Sequence, residues 1–131
     1  MKLLKTLAIT TALAALFASP AFAQTRIALV VKSLGNGFFD AANKGAQEAA
    51  AELGGIEVIY TGPTAATAEA QIEVINSLIA QQVDAIAISA NDPDALVPAL
   101  QKAMERGIKV ISWDSGVAEM EIGRASCRER V

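Results

Sequence analysis

Apolar and polar positions fall into blocks along most of this chain, and the blocks switch between two periods. Ile27, Leu29, Val30 and Val31 form a short, mostly β-branched apolar run, the pattern of a strand covered on both faces in a parallel sheet. Ser33 to Gly37 break the run. From about Phe38 to Leu53 the residues Ala42, Ala46, Ala49 and Leu53 recur at helical spacing, and Gly54-Gly55 ends that predicted helix. Ile56 to Tyr60 reads as a second strand and Thr61-Gly62-Pro63 as a turn. Thr67 is the predicted cap of a helix with Glu69 in its first turn and Ile72, Ile75, Leu78 and Ile79 on its apolar face. Ala85 to Ser89 is the third strand. Asp92-Pro93 predicts a third helix start, Asp as cap and Pro at the first position, with Leu96, Leu100, Ala103 and Met104 facing inward. Pro98 is expected to disturb its early hydrogen bonding. Gly107 stops it, and Lys109 to Trp113 is the fourth strand. The order βαβαβαβ predicts an α/β fold: an open parallel sheet with helices on both faces and right-handed crossovers.

Both ends depart from this grammar. Lys2 and Lys5, the apolar stretch Leu7 to Phe17 and the small-x-small site Ala21-Phe22-Ala23 predict a signal peptide over residues 1–23, cleaved after Ala23. Its apolar core is shorter than the ~20 residues of a spanning helix, and no cysteine follows it to carry lipid. From Glu121 the chain reads EIGRASCRERV, and Ile122 to Val131 resembles translated short-read library adapter. In one frame that adapter encodes Ile-Gly-Arg-Ala-Ser-Cys-Arg-Glu-Arg-Val and then a stop. Residues 24–120 are therefore expected to be the native segment, truncated near Met120, and 121–131 a non-native tail.

This division changes the charge. The whole chain carries −3, but residues 24–120 hold six lysines and arginines against twelve aspartates and glutamates, a net −6. An acidic segment argues against a nucleic-acid partner. The single cysteine, Cys127, lies in the tail, and there is no histidine. The usual zinc ligands and the usual general base are thus missing from the segment, and neither metal nor cofactor is expected.

Catalytic and nucleotide motifs fail in turn. Gly35-Asn36-Gly37 starts like a dinucleotide fingerprint, but its third glycine position is Asp40. No phosphate-cradling loop and no nucleophile elbow occurs. Asp92 and Asp94 read as helix-start acids. The strand-end loops suit a saccharide instead, which offers apolar C–H faces and a rim of hydroxyls. Phe38 and Phe39 supply faces; Asn36, Asn91 and Asp114 supply polar groups just beyond strands. The alternatives are plain: one phenylalanine in the core, Asn91 as a turn residue, Lys32 as a solvated strand end.

VKSLGNGFFDAANKGAQEAA, YTGPT, SANDPDALVPAL and RGIKVISWDSG together resemble the periplasmic sugar-binding proteins of ABC importers, in the ribose-binding-like type I class. Within it the likeness is to rhamnose-binding proteins first and autoinducer-binding proteins next. The resemblance implies two α/β lobes closing on one sugar. Residues 24–120 would be an incomplete N-terminal lobe of a periplasmic, monomeric receptor. Its partners would be a monosaccharide and a membrane permease with its ATPase. Ribose-type members carry Asn-x-Phe-Phe, matched by Asn36, Phe38 and Phe39, and a polar residue after the third strand, matched near Ser89. Of their Asp-Arg pair Asp114 is kept, but Ser115 stands in the arginine's place. Lys32 matches a lysine of the autoinducer-binding relatives. These matches imply a deoxyhexose or furanosyl ligand over a plain pentose. A repressor effector domain of the LacI type shares the fold but is expected behind a DNA-binding helix-turn-helix rather than a signal peptide. A secreted α/β enzyme is the remaining alternative.

The adapter likeness is open to a direct check. Reading the source locus from an adapter-free amplicon is expected to replace the codons for Ile122 to Val131 with others. Recovering the same codons would assign that segment to the protein.

Overall fold

The computed structural model describes residues 23–118 and 123–124; the predicted signal peptide lies outside them apart from Ala23. Its elements in chain order are β1 (Thr25–Val30), α1 (Gly37–Leu53), β2 (Ile56–Thr61), α2 (Ala68–Ala80), β3 (Ala85–Ile88), α3 (Val97–Glu105), β4 (Lys109–Ser112) and β5 (Gly123–Arg124). The sheet order is β2-β1-β3-β4-β5, and every neighbouring pair is parallel. The chain first steps from β1 outward to β2. It then returns past β1 to β3, so the order reverses between β1 and β3. Right-handed crossovers in opposite directions put α1 on one face and α2 with α3 on the other. At such a reversal the loops leaving the two strands part and leave a crevice.

The main core lies on the α2–α3 face. Ala28 and Val30, Ile86 and Ile88, and Val110 point there at the strand period of two, against Ile75, Leu78, Leu100 and Ala103. The opposite face is less covered than the apolar run in β1 predicts. Ile27, Leu29, Ala85 and Ala87 are only half-buried and Ile111 is 38% exposed, because α1 is the one helix among the described residues on that side. The inner stripe of α1 is Phe39, Ala42, Ala46 and Ala50. Ala49 is exposed, and Leu53, at the last helical position, is 73% exposed. Both were expected inside.

The third helix also starts later than predicted. Asp92 Oδ1 accepts from the N–H groups of Asp94 (2.9 Å) and Ala95 (2.8 Å), and these bonds hold its carboxyl below the usual carboxylate range. They cap a turn, and α3 begins only at Val97. Starting there places Pro98 in the first turn, where a helical N–H has no intrahelical partner to lose, so the expected disturbance does not arise. Gly62, expected as a turn glycine, is required by close approach as well. A Cβ there would sit 2.8 Å from Val31 Cγ2 and 2.9 Å from Val31 O. From sequence, residues 122–131 have no place in the fold, yet Gly123–Arg124 pairs with Ile111 and Ser112 at the outer edge of β4. Such an edge offers backbone groups to any extended segment beside it.

Candidate sugar-binding face

Three strands end level. Val30 is in register with Ile88, and Ile88 with Ser112, and the ladder closes with Ser89 N–H donating to Val30 O and Trp113 N–H to Ile88 O, each at 3.0 Å. The residues that follow, Lys32, Ser89 to Asn91 and Trp113 to Asp114, therefore emerge side by side. The loop into α1 adds Asn36 and Phe38 from the same end.

Asp114 is the electrostatic centre. Its Oδ2 accepts from Ser89 Oγ at 2.7 Å and from Ser115 Oγ at 3.5 Å, and Lys32 Nζ lies 3.8 Å away. Among the described residues nothing bonds to Oδ1, which stays available to an external donor. Asp114 also sits at φ 57°, in the left-handed region that a non-glycine residue enters at a cost. Lys32 and Asp114 are each about one-third exposed at the side chain, so their attraction is screened by water. The pair therefore contributes little to the stability of the fold and stays open to an external partner.

Beside this pair stands an aromatic cluster. Phe38 is 59% exposed and lies nearly parallel to Trp113, with centroids 6.5 Å apart and planes at 15°. Phe39 is buried and meets both rings edge-on, at 5.3 Å from Phe38 and 5.9 Å from Trp113. Of the two phenylalanines, then, Phe38 presents a face and Phe39 supports it from the core. Trp113 Nε1 is buried and has no partner among the described residues, an unusual state for a strong donor.

The remaining polar positions act largely on the protein itself. Asn36 Oδ1 accepts from Phe38 N–H at 3.0 Å and so caps α1. Only its amide N–H groups remain free to turn outward. Asn91 Nδ2 donates to Lys32 O at 2.8 Å and to Thr67 O at 3.4 Å, fixing the strand-end loop. Ser89 is fully buried and reaches solvent-side chemistry only through Asp114. Nearby, Tyr60 Oη donates to Asp40 Oδ1 at 2.8 Å and ties β2 to the first turn of α1. Burial, helped by that bond and by the charge of Asp40, pushes its phenol up to about 12.

Two residues at this end of the sheet are not selected by sequence reasoning. Trp113 was visible only as the last residue of an apolar strand. Gln71 left a clearer signal: it stands four, seven and eight positions before Ile75, Leu78 and Ile79, a polar residue on the buried stripe of α2. It is fully buried and bonds to Val31, Ser89 and Asn91.

The double duty of Asn36 is testable without any ligand. Asn36→Ala removes the cap and is expected to lower stability by about 1 kcal/mol, whereas Asn36→Ser or Asn36→Asp, which keep an acceptor, should cost little. Chemical denaturation of the full-length protein carrying this segment measures the difference. Equal stability of all three variants would show that the cap contributes nothing.

Comparison with known proteins places this geometry in a family. A family model described as periplasmic binding protein domain matches residues 27–127. The D-ribose/D-allose-binding protein of Pseudomonas aeruginosa is 38% identical over 92 residues, covering 69% of this chain and 29% of that protein. Among solved structures, an ABC transporter solute-binding protein from Clostridium phytofermentans with bound L-rhamnose is 44% identical. Its TM-score is 0.67, and the match covers 72% of this chain and 29% of that one. LsrB from Clostridium saccharobutylicum in complex with AI-2 is 38% identical with a TM-score of 0.68, covering 70% and 28%. The chain thus spans under a third of the length of each of these relatives. With the family match covering most of the sequence, and a parallel sheet whose strand ends gather one polar and aromatic face, this chain belongs to the periplasmic binding protein domain family.

Proposed function

We propose that this chain is the N-terminal lobe, in part, of the solute receptor of an ABC sugar importer. The receptor binds a monosaccharide in the periplasm and hands it to a membrane permease driven by its ATPase. The ligand is L-rhamnose or a related deoxyhexose. One observation carries this: a carboxylate about one-third exposed with one oxygen free among the described residues, an ammonium 3.8 Å from its other oxygen, and an exposed aromatic face all meet at level strand ends. Asp114 accepts hydroxyl protons, Lys32 donates to hydroxyl oxygens, and Phe38 covers a C–H face, which in a 6-deoxy sugar extends over the methyl group. The relative with bound L-rhamnose supports this choice, as does Ser115, which stands where ribose-type receptors keep an arginine. The hydroxyl that donates to Asp114, Ser89 Oγ, is fully buried and so out of a substrate's reach as a nucleophile, and the role is that of a monomeric receptor without cofactor rather than an enzyme. Residues 1–23 direct export, 24–120 supply the lobe and 121–131 stand outside the native protein.

A second reading rests on Lys32. Its ion pair with Asp114 also suits a furanosyl signal molecule dense in hydroxyls, and the relative in complex with AI-2 supports an autoinducer ligand.

Removing the carboxylate separates these roles from a structural one. In the full-length protein, Asp114→Ala is expected to weaken L-rhamnose binding by about ten- to a hundredfold, the worth of one hydrogen bond to a charged group. Calorimetric titration with L-rhamnose, D-allose and D-ribose measures this and ranks the sugars. Unchanged affinity would remove Asp114 from the site, and a protein that binds none of the three sugars would count against rhamnose and its neighbours as ligands.

A further inference from the structure

Gln71 occupies the place where two β ladders fail together. The β1–β2 ladder runs on past the strand as Val31 N–H donates to Thr61 O at 3.0 Å. In a parallel ladder the Val31 carbonyl would next accept from residue 63, but that residue is Pro63 and has no N–H. The β1–β3 ladder stops at Ser89 N–H to Val30 O, 3.0 Å. Its next bond would run from Lys32 N–H to Ser89 O. Instead Ala90 N–H turns to the loop after β4, donating to Ser115 O at 3.1 Å, and β1 and β3 part.

The side-chain amide of Gln71 fills both gaps. Nε2 donates to Val31 O at 3.1 Å and to Ser89 O at 2.8 Å, using both its protons. Oε1 accepts from Asn91 N–H at 2.8 Å. The residue is fully buried, so no water competes for these three bonds. A primary amide thus stands in for a peptide unit at the fork between β1 and β3. Each group it holds adjoins a residue of the ligand face. Val31 precedes Lys32, Ser89 donates to Asp114, and Asn91 anchors the carbonyl of Lys32.

We infer that Gln71 is a positioning residue for ligand binding: it fixes the width of the fork, and with it the spacing of Lys32 from Ser89 and Asp114, without touching the ligand itself. This rests on the sugar-binding function proposed above, and it predicts a cost in affinity separate from any cost in stability. A rigid spacing lets a sugar meet both charges without first ordering the loops, which is how preorganisation raises affinity.

The test uses the full-length protein and Gln71→Met, which keeps the length of the side chain and removes all three bonds. Titration is done with whichever of L-rhamnose and D-allose the wild type binds more tightly, at a temperature where both proteins are fully folded. Affinity is expected to fall about tenfold or more, and by much less in an Asp114→Ala background, since coupled residues are non-additive. Amide hydrogen exchange supplies an arm that needs no ligand. Exchange at Asn91 should accelerate selectively, with Ile86 and Ile88 in β3 unchanged. Should Gln71→Met fail to fold, Gln71→Glu, which loses the two donations to Val31 O and Ser89 O but keeps an acceptor for Asn91 N–H, serves the affinity comparison, with exchange at Asn91 then expected unchanged. Lowered stability with unchanged affinity, or equal acceleration across β3, overturns the inference. A wild type that binds no sugar while exchange at Asn91 still responds selectively counts against the sugar function alone.

Discussion

Val30, Ile88 and Ser112 lie at one level across β1, β3 and β4, and the proposed ligand face exists because of that register. A slip of one residue in any of these strands would turn its side chains to the opposite face. Asp114 would then no longer meet Ser89 Oγ, and Trp113 would leave Phe39. The register is held by the alternating burial of Ala28, Val30, Ile86, Ile88 and Val110 against α2 and α3. Burial of this kind is worth ~25 cal/mol per Å² of apolar surface, so it is the core on one side of the sheet that sets the geometry at its end.

What emerges at that end is polar but weakly self-satisfied. The Lys32–Asp114 pair is partly hydrated and contributes little to folding. Asp114 is held at a positive φ, and Trp113 Nε1 is buried without a partner among the described residues. Strain and unmet hydrogen-bonding capacity are tolerated where a binding partner can use them. By contrast the groups behind the face are fully committed: Gln71 to three backbone groups, Asn91 to Lys32 and Thr67, Asn36 Oδ1 to the helix start. The outer groups remain available because an inner layer holds them in place.

The order of elements was legible in the sequence because short apolar runs at β1, β3 and β4 are separated by stretches of helical period, clearest in α2. Positions at the ends of elements were not. The inward placement of Leu53 failed because periodicity says which way a residue points, not whether anything covers it. The start of α3 was misplaced because Asp92 caps a turn with the same bonds it would give a helix. At the candidate site Lys32 stood out only through the family resemblance, and Asp114 and Phe38 as polar or aromatic groups just beyond strands; the structure brings Lys32 within 3.8 Å of Asp114. Asn36 and Asn91 stood out for the same reason, yet much of their capacity serves the backbone. Sequence does not reveal which of an amide's hydrogen bonds are already spent. Gln71 was hidden because its work depends on two ladders that end on neighbouring strands, a fact of topology.

The most direct measurement is a crystal structure of the full-length protein with L-rhamnose bound. The sugar is expected over the ends of β1, β3 and β4, with a C–H face on the ring of Phe38. One hydroxyl should lie within hydrogen-bond distance of Asp114 Oδ1 and one ring or hydroxyl oxygen within reach of Lys32 Nζ. A sugar seated elsewhere, with Asp114 bonded only to Ser89 and its own neighbours, would contradict the assignment of this face.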